Sequence, residues 1–169
     1  MMRSVVGAAY LTARSCLRMT GLAKPARKIF GPMVGRMVFR TYGNSNHPVD
    51  VMGHKMFLAS ADRYPPIAMV KGSYERETTS LLQRVVEPGM SVLDVGAHVG
   101  YFALVAAKAA GADGKGYAFE PEPGNYDLLV ENARMNGYEN IVAVRKGVSN
   151  HSGSSTLYIA GLDNGRNSL

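Results

Sequence analysis

The stretch Ser91–Tyr101, SVLDVGAHVGY, decides the fold of this chain together with Tyr117–Pro121, YAFEP. Its first five residues are short and mostly apolar, which is typical of a buried parallel strand. A glycine turn follows, and the apolar, alanine-rich residues 99–110 then predict a buried helix. Residues 116–119 predict a second strand, which ends at the acid Glu120. Strand, turn, helix and strand in this order predict a nucleotide-type βαβ unit.

The glycine turn indicates which ligand fits. A dinucleotide site has the pattern G-x-G-x-x-G, because the second glycine lets the backbone approach the pyrophosphate. Here His98 and Tyr101 occupy the second and third glycine positions. The observed pattern is D-x-G-x-x-x-G, which runs from Asp94 through Gly96 to Gly100. A ligand with a carboxylate needs less bare backbone than a pyrophosphate, so the pattern favours S-adenosylmethionine over a nicotinamide dinucleotide.

Each candidate residue has a role that the chemistry of this ligand suggests. The amides of Gly96, Ala97 and His98 and the following helix N-terminus would meet the ligand carboxylate. Asp94 would meet the ammonium or the sulfonium end. Glu120 follows the last glycine of the turn by 20 positions, where a carboxylate accepts hydrogen bonds from ribose hydroxyls.

Each of these assignments has a structural alternative. Asp94 alternatively caps the turn, and Glu120 is alternatively a solvated acid at a strand end. His98 is alternatively an ordinary loop histidine or a general base. Pro121 either lines the adenine or simply terminates its strand. The sequence assigns no catalytic residue and no metal ligands.

Several motifs in combination resemble the FkbM family of S-adenosylmethionine-dependent methyltransferases. They are Tyr74-Glu75-x-Glu77, Glu87-Pro88-Gly89, Val92–Phe102, Phe119-Glu120-Pro121-x-Pro123-x-Asn125, Glu131-Asn132-x-x-x-Asn136 and Val148-Ser149-x-x-x-Gly153. The resemblance runs from about Val49 to the end, with His98 where the family more often has asparagine. It implies S-adenosylmethionine as cofactor and O-methyl transfer to a hydroxyl of a small molecule or sugar. It also implies adenine contacts at Gly147 and Val148.

The fold class predicted is α/β, with the Rossmann-like parallel sheet of a class I methyltransferase. Core strands are expected at 91–95, 116–119 and 141–145, and right-handed crossovers place them in the spatial order 3-2-1. A further short strand is expected at 155–160. The family continues with more strands and an Asp-x-Glu-Gly segment that this sequence does not contain, so we expect an incomplete sheet with an exposed first strand. Such a chain alone is expected to be inactive, and the alternative function is a truncated, non-catalytic cofactor-binding remnant.

The predicted domain plan has two parts. Residues 1–48 form a basic helical lead-in, and residues 49–169 form a partial methyltransferase domain. Within that domain the cofactor-binding core covers 90–150. It is preceded by a small hairpin at 49–58, where the sequence alternates around a glycine.

Charge is concentrated in the lead-in. Residues 1–40 hold eight of the 19 Lys and Arg residues and none of the 13 Asp and Glu residues, in a chain of net charge +6. The remainder is therefore slightly acidic, and we expect it not to bind nucleic acid. The basic head is interpreted as a helical lead-in, as a segment on an anionic membrane surface or as a targeting peptide.

Composition bounds the compartment and the partners. A single cysteine, Cys16, excludes an internal disulfide and favours a reducing compartment, so the expected location is cytoplasmic. Hydrophobic residues make up 46% of the chain, as in a globular protein, yet no apolar run approaches the ~20 residues of a membrane span. The expected partner is a small-molecule or glycan acceptor, with no nucleic acid and no transmembrane segment. The oligomeric state stays open.

Overall fold

The computed structural model describes residues 47–58 and 65–159, so the basic head at 1–40 lies outside the described residues. The elements are, in chain order, β1 (Val49–Val51), β2 (His54–Met56), α1 (Pro65–Val70), α2 (Arg76–Val85), β3 (Ser91–Val95), α3 (Tyr101–Ala110), β4 (Lys115–Phe119), α4 (Pro123–Met135) and β5 (Ile141–Val144). The alternation of strand and helix from β3 to β5 is the predicted βαβ arrangement.

The core sheet has β4 in its centre, paired in parallel with β3 on one side and β5 on the other. The predicted class I methyltransferase-like α/β fold is confirmed at this level. The strand order is β3-β4-β5, rather than the 3-2-1 written from the sequence. The order 3-2-1 counts the core strands from one edge of the sheet, and β3-β4-β5 counts them from the other edge. In both orders the second core strand, β4, is central.

Helix α3 packs across β3 and β4, and it can approach them closely because it is rich in alanine. The turn before α3 is equally tight. Gly100 has φ +91°, and a Cβ added there would lie 2.6 Å from Cδ1 of Leu129 in α4. Only glycine satisfies both the backbone angle and this contact. Leu104 of α3 and Leu129 of α4 are fully buried, so the helix layer and the sheet share a core.

The predicted hairpin is confirmed as the antiparallel pair β1 and β2. Two asparagines, Asn132 in the last turns of α4 and Asn136 at its C-cap, attach it to the core, and we call this pair the asparagine clamp. Oδ1 of Asn132 accepts from the Phe57 amide at 2.7 Å, and its Nδ2 donates to the carbonyls of Phe57 at 3.0 Å and Val99 at 2.8 Å. Asn136 bonds both backbone groups of Lys55 in the same way, at 2.9 and 2.7 Å. The clamp therefore gives the hairpin a partner of the kind that another strand would provide.

The strand predicted at 155–160 is reduced to an isolated β-bridge at Tyr158 over residues 155–159, and Ala160 lies outside the described part. Within that part β3 is an edge strand of the three-stranded sheet. No helix of the described residues is long and apolar enough to cross a membrane.

Candidate cofactor-binding site

The candidate site lies at the carboxyl ends of β3 and β4. Asp94 is the penultimate residue of β3 and pairs in register with Ala118, and Glu120 directly follows β4. The two carboxylates therefore share one edge of the sheet, as the sequence predicted. In open parallel α/β sheets, ligands bind in the crevice outside this edge.

The turn between β3 and α3 uses an unusual backbone. Gly96, His98 and Gly100 all have positive φ, at +80°, +51° and +91°. A Cβ built on Gly96 meets nothing within 4 Å, so open space faces the turn at that position. His98 is a non-glycine residue in the left-handed region, where asparagine is more common than most residues.

The amides of this turn are bonded within the chain. Those of Gly96 and Ala97 both donate to the Phe119 carbonyl at 2.9 Å, and the amide of His98 donates to Oε2 of Glu120 at 2.8 Å. A ligand carboxylate would have to share or displace these bonds. The arrangement thus fixes β3 against β4 and directs the Glu120 carboxylate toward the turn.

Glu120 is buried, with 5% of its surface exposed. Its Oε1 accepts a 2.9 Å hydrogen bond from the amide of Glu122, so each carboxylate oxygen has one backbone donor. Each oxygen also keeps a second lone pair that can accept a ligand hydroxyl. Pro121 is half-buried between these two acids. Glu122 has a different role, because its side chain caps α4 by accepting from the amides of Gly124 and Asn125.

Asp94 is held in a less favourable environment. Its Oδ2 is buried and has no hydrogen-bond partner among the described residues. Burial raises the pKa of Asp94 from 3.8 to about 6, the charge of Glu120 adds to this rise, and a backbone hydrogen bond from Ala103 opposes it. A buried acceptor without a partner destabilises a fold unless a ligand satisfies it. A cationic group is the ligand that would also restore the ionised form.

A second unsatisfied group belongs to Asn125, in the first turn of α4. This side chain is 2% exposed, and its Nδ2 has no partner among the described residues. Asn125 lies one helical turn before Leu129, which packs on Gly100, so it is on the side of α4 that faces the glycine turn. The motif that contains Asn125 does not by itself distinguish a polar residue at the start of a helix from a ligand. Its position in the Pro123-x-Asn125 motif was the one available signal.

The remaining predicted residues follow β5. Gly147 and Val148 are exposed, with 49% of Val148 accessible. The Glu120 amide donates to the Val144 carbonyl at 3.0 Å, so the chain after β5 leaves the sheet beside Glu120. Both residues therefore follow the carboxyl end of β5. Among the described residues no group of three or more His, Cys, Asp or Glu side chains is arranged to hold a metal ion.

Comparison with known proteins identifies the class of enzyme to which this chain belongs. The profile of the TRM5/TYW2 methyltransferase domain matches residues 68–156, more than half of the chain. The chain therefore belongs to the TRM5/TYW2 methyltransferase domain family. At this level the predicted enzyme class, a methyltransferase, and the predicted cofactor, S-adenosylmethionine, are confirmed. The match does not extend to the FkbM family in particular.

Individual relatives share shorter segments. An uncharacterized protein of Methanocaldococcus jannaschii is 37% identical over 71 residues, covering 42% of this chain and 26% of the relative. A protein-L-isoaspartate O-methyltransferase of Methanococcoides burtonii is 39% identical over 59 residues, covering 35% of this chain and 29% of the relative. The solved structure of P. horikoshii TYW2 in complex with MeSAdo is 27% identical with a TM-score of 0.45, covering 56% of this chain and 33% of that one. The chain thus spans less than a third of the length of the curated relatives it matches.

The expectation of a small-molecule or glycan acceptor, with no nucleic acid, is wrong. The family that matches is named for Trm5 and TYW2, which are tRNA methyltransferases. The error has a physical source in the charge count, which treated every acid outside the basic head as surface charge. Asp94 and Glu120 are instead turned inward, and Glu122 is used as a helix cap, so this count overstated the negative surface.

Proposed function

We propose that this chain binds S-adenosylmethionine at the Asp94–Glu120 edge and supports methyl transfer to RNA. The observation that carries the proposal is the unsatisfied Oδ2 of Asp94 beside the bonded carboxylate of Glu120. One acid lacks a cation and the other keeps lone pairs for hydroxyls, and an aminoacyl nucleoside offers both groups. Membership of the TRM5/TYW2 family supports RNA as the acceptor.

The residues of the site have defined tasks in this proposal. Asp94 pairs with the positively charged aminoacyl end, and Glu120 accepts from the ribose hydroxyls. Gly147 and Val148 lie where the adenine is expected, and Pro121 borders it. When bound, S-adenosylmethionine supplies an activated methyl group, so the protein chiefly aligns donor and acceptor. Alignment of this kind supplies roughly 7–11 kcal/mol of the barrier to a bimolecular step.

Calorimetry with S-adenosylmethionine tests the cofactor part. We expect Glu120→Ala to weaken binding by about 1–3 kcal/mol, because its charge-assisted hydrogen bonds to the ribose can no longer form. Glu139→Ala, an exposed acid between α4 and β5, is the matched control and should bind as the wild type does. Equal affinity in the wild type and Glu120→Ala would place the ribose elsewhere.

Transfer is tested with S-adenosylmethionine that carries a labelled methyl group and with bulk tRNA as acceptor. Nuclease digestion followed by mass spectrometry then identifies the labelled nucleoside and the atom that carries the methyl group. An oxygen acceptor, and the narrower resemblance to the FkbM family, stay predictions that this assay addresses. Cofactor binding without transfer to any RNA would favour the non-catalytic alternative.

A further inference from the structure

The segment that follows β5, residues 145–159, has a composition unlike the rest of the described chain. It contains two cations, Arg145 and Lys146, and no acidic residue. Hydroxyl groups are frequent in it, at Ser149, Ser152, Ser154, Ser155, Thr156 and Tyr158. Almost the whole segment is exposed, and Tyr158 is 67% accessible. We call it the β5 tail.

The β5 tail begins at the mouth of the candidate site. Val144 ends β5 in register with Phe119, and its carbonyl accepts from the amide of Glu120. Arg145 therefore leaves the sheet one strand spacing, about 4.8 Å, from the strand that carries Glu120. A polyanion drawn to Arg145 and Lys146 is thereby brought beside the bound cofactor.

The chemistry of the β5 tail fits single-stranded RNA. Cations neutralise phosphates, hydroxyl groups bond to phosphate and ribose oxygens, and an exposed tyrosine offers a face on which a base can stack. Ser149 and His151 already bond each other at 3.1 Å, which restricts the start of the tail. An acid-free segment also avoids repulsion of the phosphates.

We infer that the β5 tail is the surface on which single-stranded RNA docks, with Arg145 and Lys146 on phosphates and Tyr158 stacked on a base. The inference rests on the proposed function, because it names the surface that holds the proposed acceptor. It adds a location and a binding mode that family membership does not specify.

Fluorescence anisotropy of a labelled single-stranded RNA, with the full chain, tests the charge interactions. Arg145→Ala combined with Lys146→Ala should lower the slope of log affinity against log salt by about 1.4, or about 0.7 for each phosphate that is no longer neutralised. The matched control combines Lys108→Ala with Lys115→Ala, which removes two exposed cations near the opposite edge. It should leave the slope unchanged. A slope equal to the wild type in the first variant would overturn the inference.

Two substitutions at Tyr158 test the stacking interaction. Tyr158→Ala should weaken RNA binding about 5-fold or more, whereas Tyr158→Phe keeps the ring and should bind within about 2-fold of the wild type. Calorimetry should give the same S-adenosylmethionine affinity for all these variants. Equal RNA binding by Tyr158→Ala and the wild type would contradict the stacking interaction.

The outcomes separate this inference from the proposed function. If the wild type methylates RNA and both tail variants do so equally well, the inference fails and the function stands. If RNA binds through the tail but receives no methyl group, the function fails and the docking surface stands. Tail-dependent binding to phosphatidylserine vesicles without any binding to RNA would overturn the inference in favour of a membrane surface.

Discussion

Two sets of polar side chains, one at the C-terminal end of α4 and one at the cofactor edge, differ in how completely their hydrogen-bonding groups are satisfied. In the asparagine clamp, both amide atoms of Asn132 and of Asn136 have backbone partners. At the cofactor edge, Nδ2 of Asn125 and Oδ2 of Asp94 have none among the described residues. The satisfied hydrogen bonds stabilise the fold in the first set, whereas buried groups without partners weaken it in the second. The difference separates side chains that hold the structure from side chains suited to a ligand.

The largest change in the free energy of unfolding is expected when the asparagine clamp is broken. Asn132→Ala would leave the amide and carbonyl of Phe57 and the carbonyl of Val99 without their partner. We expect a decrease of about 3–5 kcal/mol in the free energy of unfolding, because each buried unpaired group costs about 1–3 kcal/mol. Urea denaturation followed by circular dichroism measures it. Asn136→Ala, whose bonds to Lys55 are exposed, is the milder control at about 1 kcal/mol.

At the cofactor edge we expect a smaller change in the free energy of unfolding, and here the substitution should stabilise the fold instead of destabilising it. The pKa of Asp94 is raised from 3.8 to about 6, so the stability that its protonated form contributes is full below pH ~4 and is lost as the pH rises through 6. Asp94→Asn should therefore be more stable than the wild type above pH 6, by about 2 kcal/mol, and should lose this pH dependence. The same variant should bind S-adenosylmethionine at least tenfold more weakly.

Denaturation at a series of pH values, with calorimetry at pH 7.5, checks both parts. Asp113→Asn, an exposed acid in the turn before β4, serves as the control. A wild type that gains stability between pH 4 and 6, relative to Asp94→Asn, would contradict the assignment of a strained carboxylate.

The smallest effect concerns the backbone of the turn. His98 has φ +51°, which asparagine tolerates and β-branched residues do not. His98→Asn should change the free energy of unfolding by less than about 0.5 kcal/mol, whereas His98→Ile should cost about 1–2 kcal/mol. Thermal unfolding of the two variants provides the measurement. Equal destabilisation in both would show that the imidazole ring, rather than the backbone angle, matters at this position.

The sequence predicted the elements whose signal is local. Residues 91–95 form β3 as expected, and the alanine-rich helix ends before Gly111, because apolar runs and glycine breaks act over a few residues. The shared edge of Asp94 and Glu120 followed from parallel pairing. The cofactor followed from the spacing of acids and glycines around one turn, and the class of enzyme followed from the resemblance to known methyltransferases.

Features that depend on distant contacts could not be predicted. The turn amides were assigned to a ligand, yet they bond to Phe119 and Glu120 of the next strand. The clamp joins residues 75 and 81 positions apart, a separation that no local pattern encodes. The start of α2 also lacks a local signal, since Glu75 precedes it in a left-handed conformation without a side-chain cap.

The asparagine clamp also imposes an order of events on the growing chain. The residues of the hairpin are synthesised about 75 positions before Asn132 and Asn136. At 5–20 residues per second this separation corresponds to a delay of ~4–15 s. During that interval the strand amides of Lys55 and Phe57 must rely on water. Contacts between such distant segments are expected to form late in folding, because the entropy cost of closing the long loop between them is smaller once nearer contacts have formed. If the hairpin docks after the transition state, breaking the asparagine clamp is expected to speed unfolding more than it slows folding.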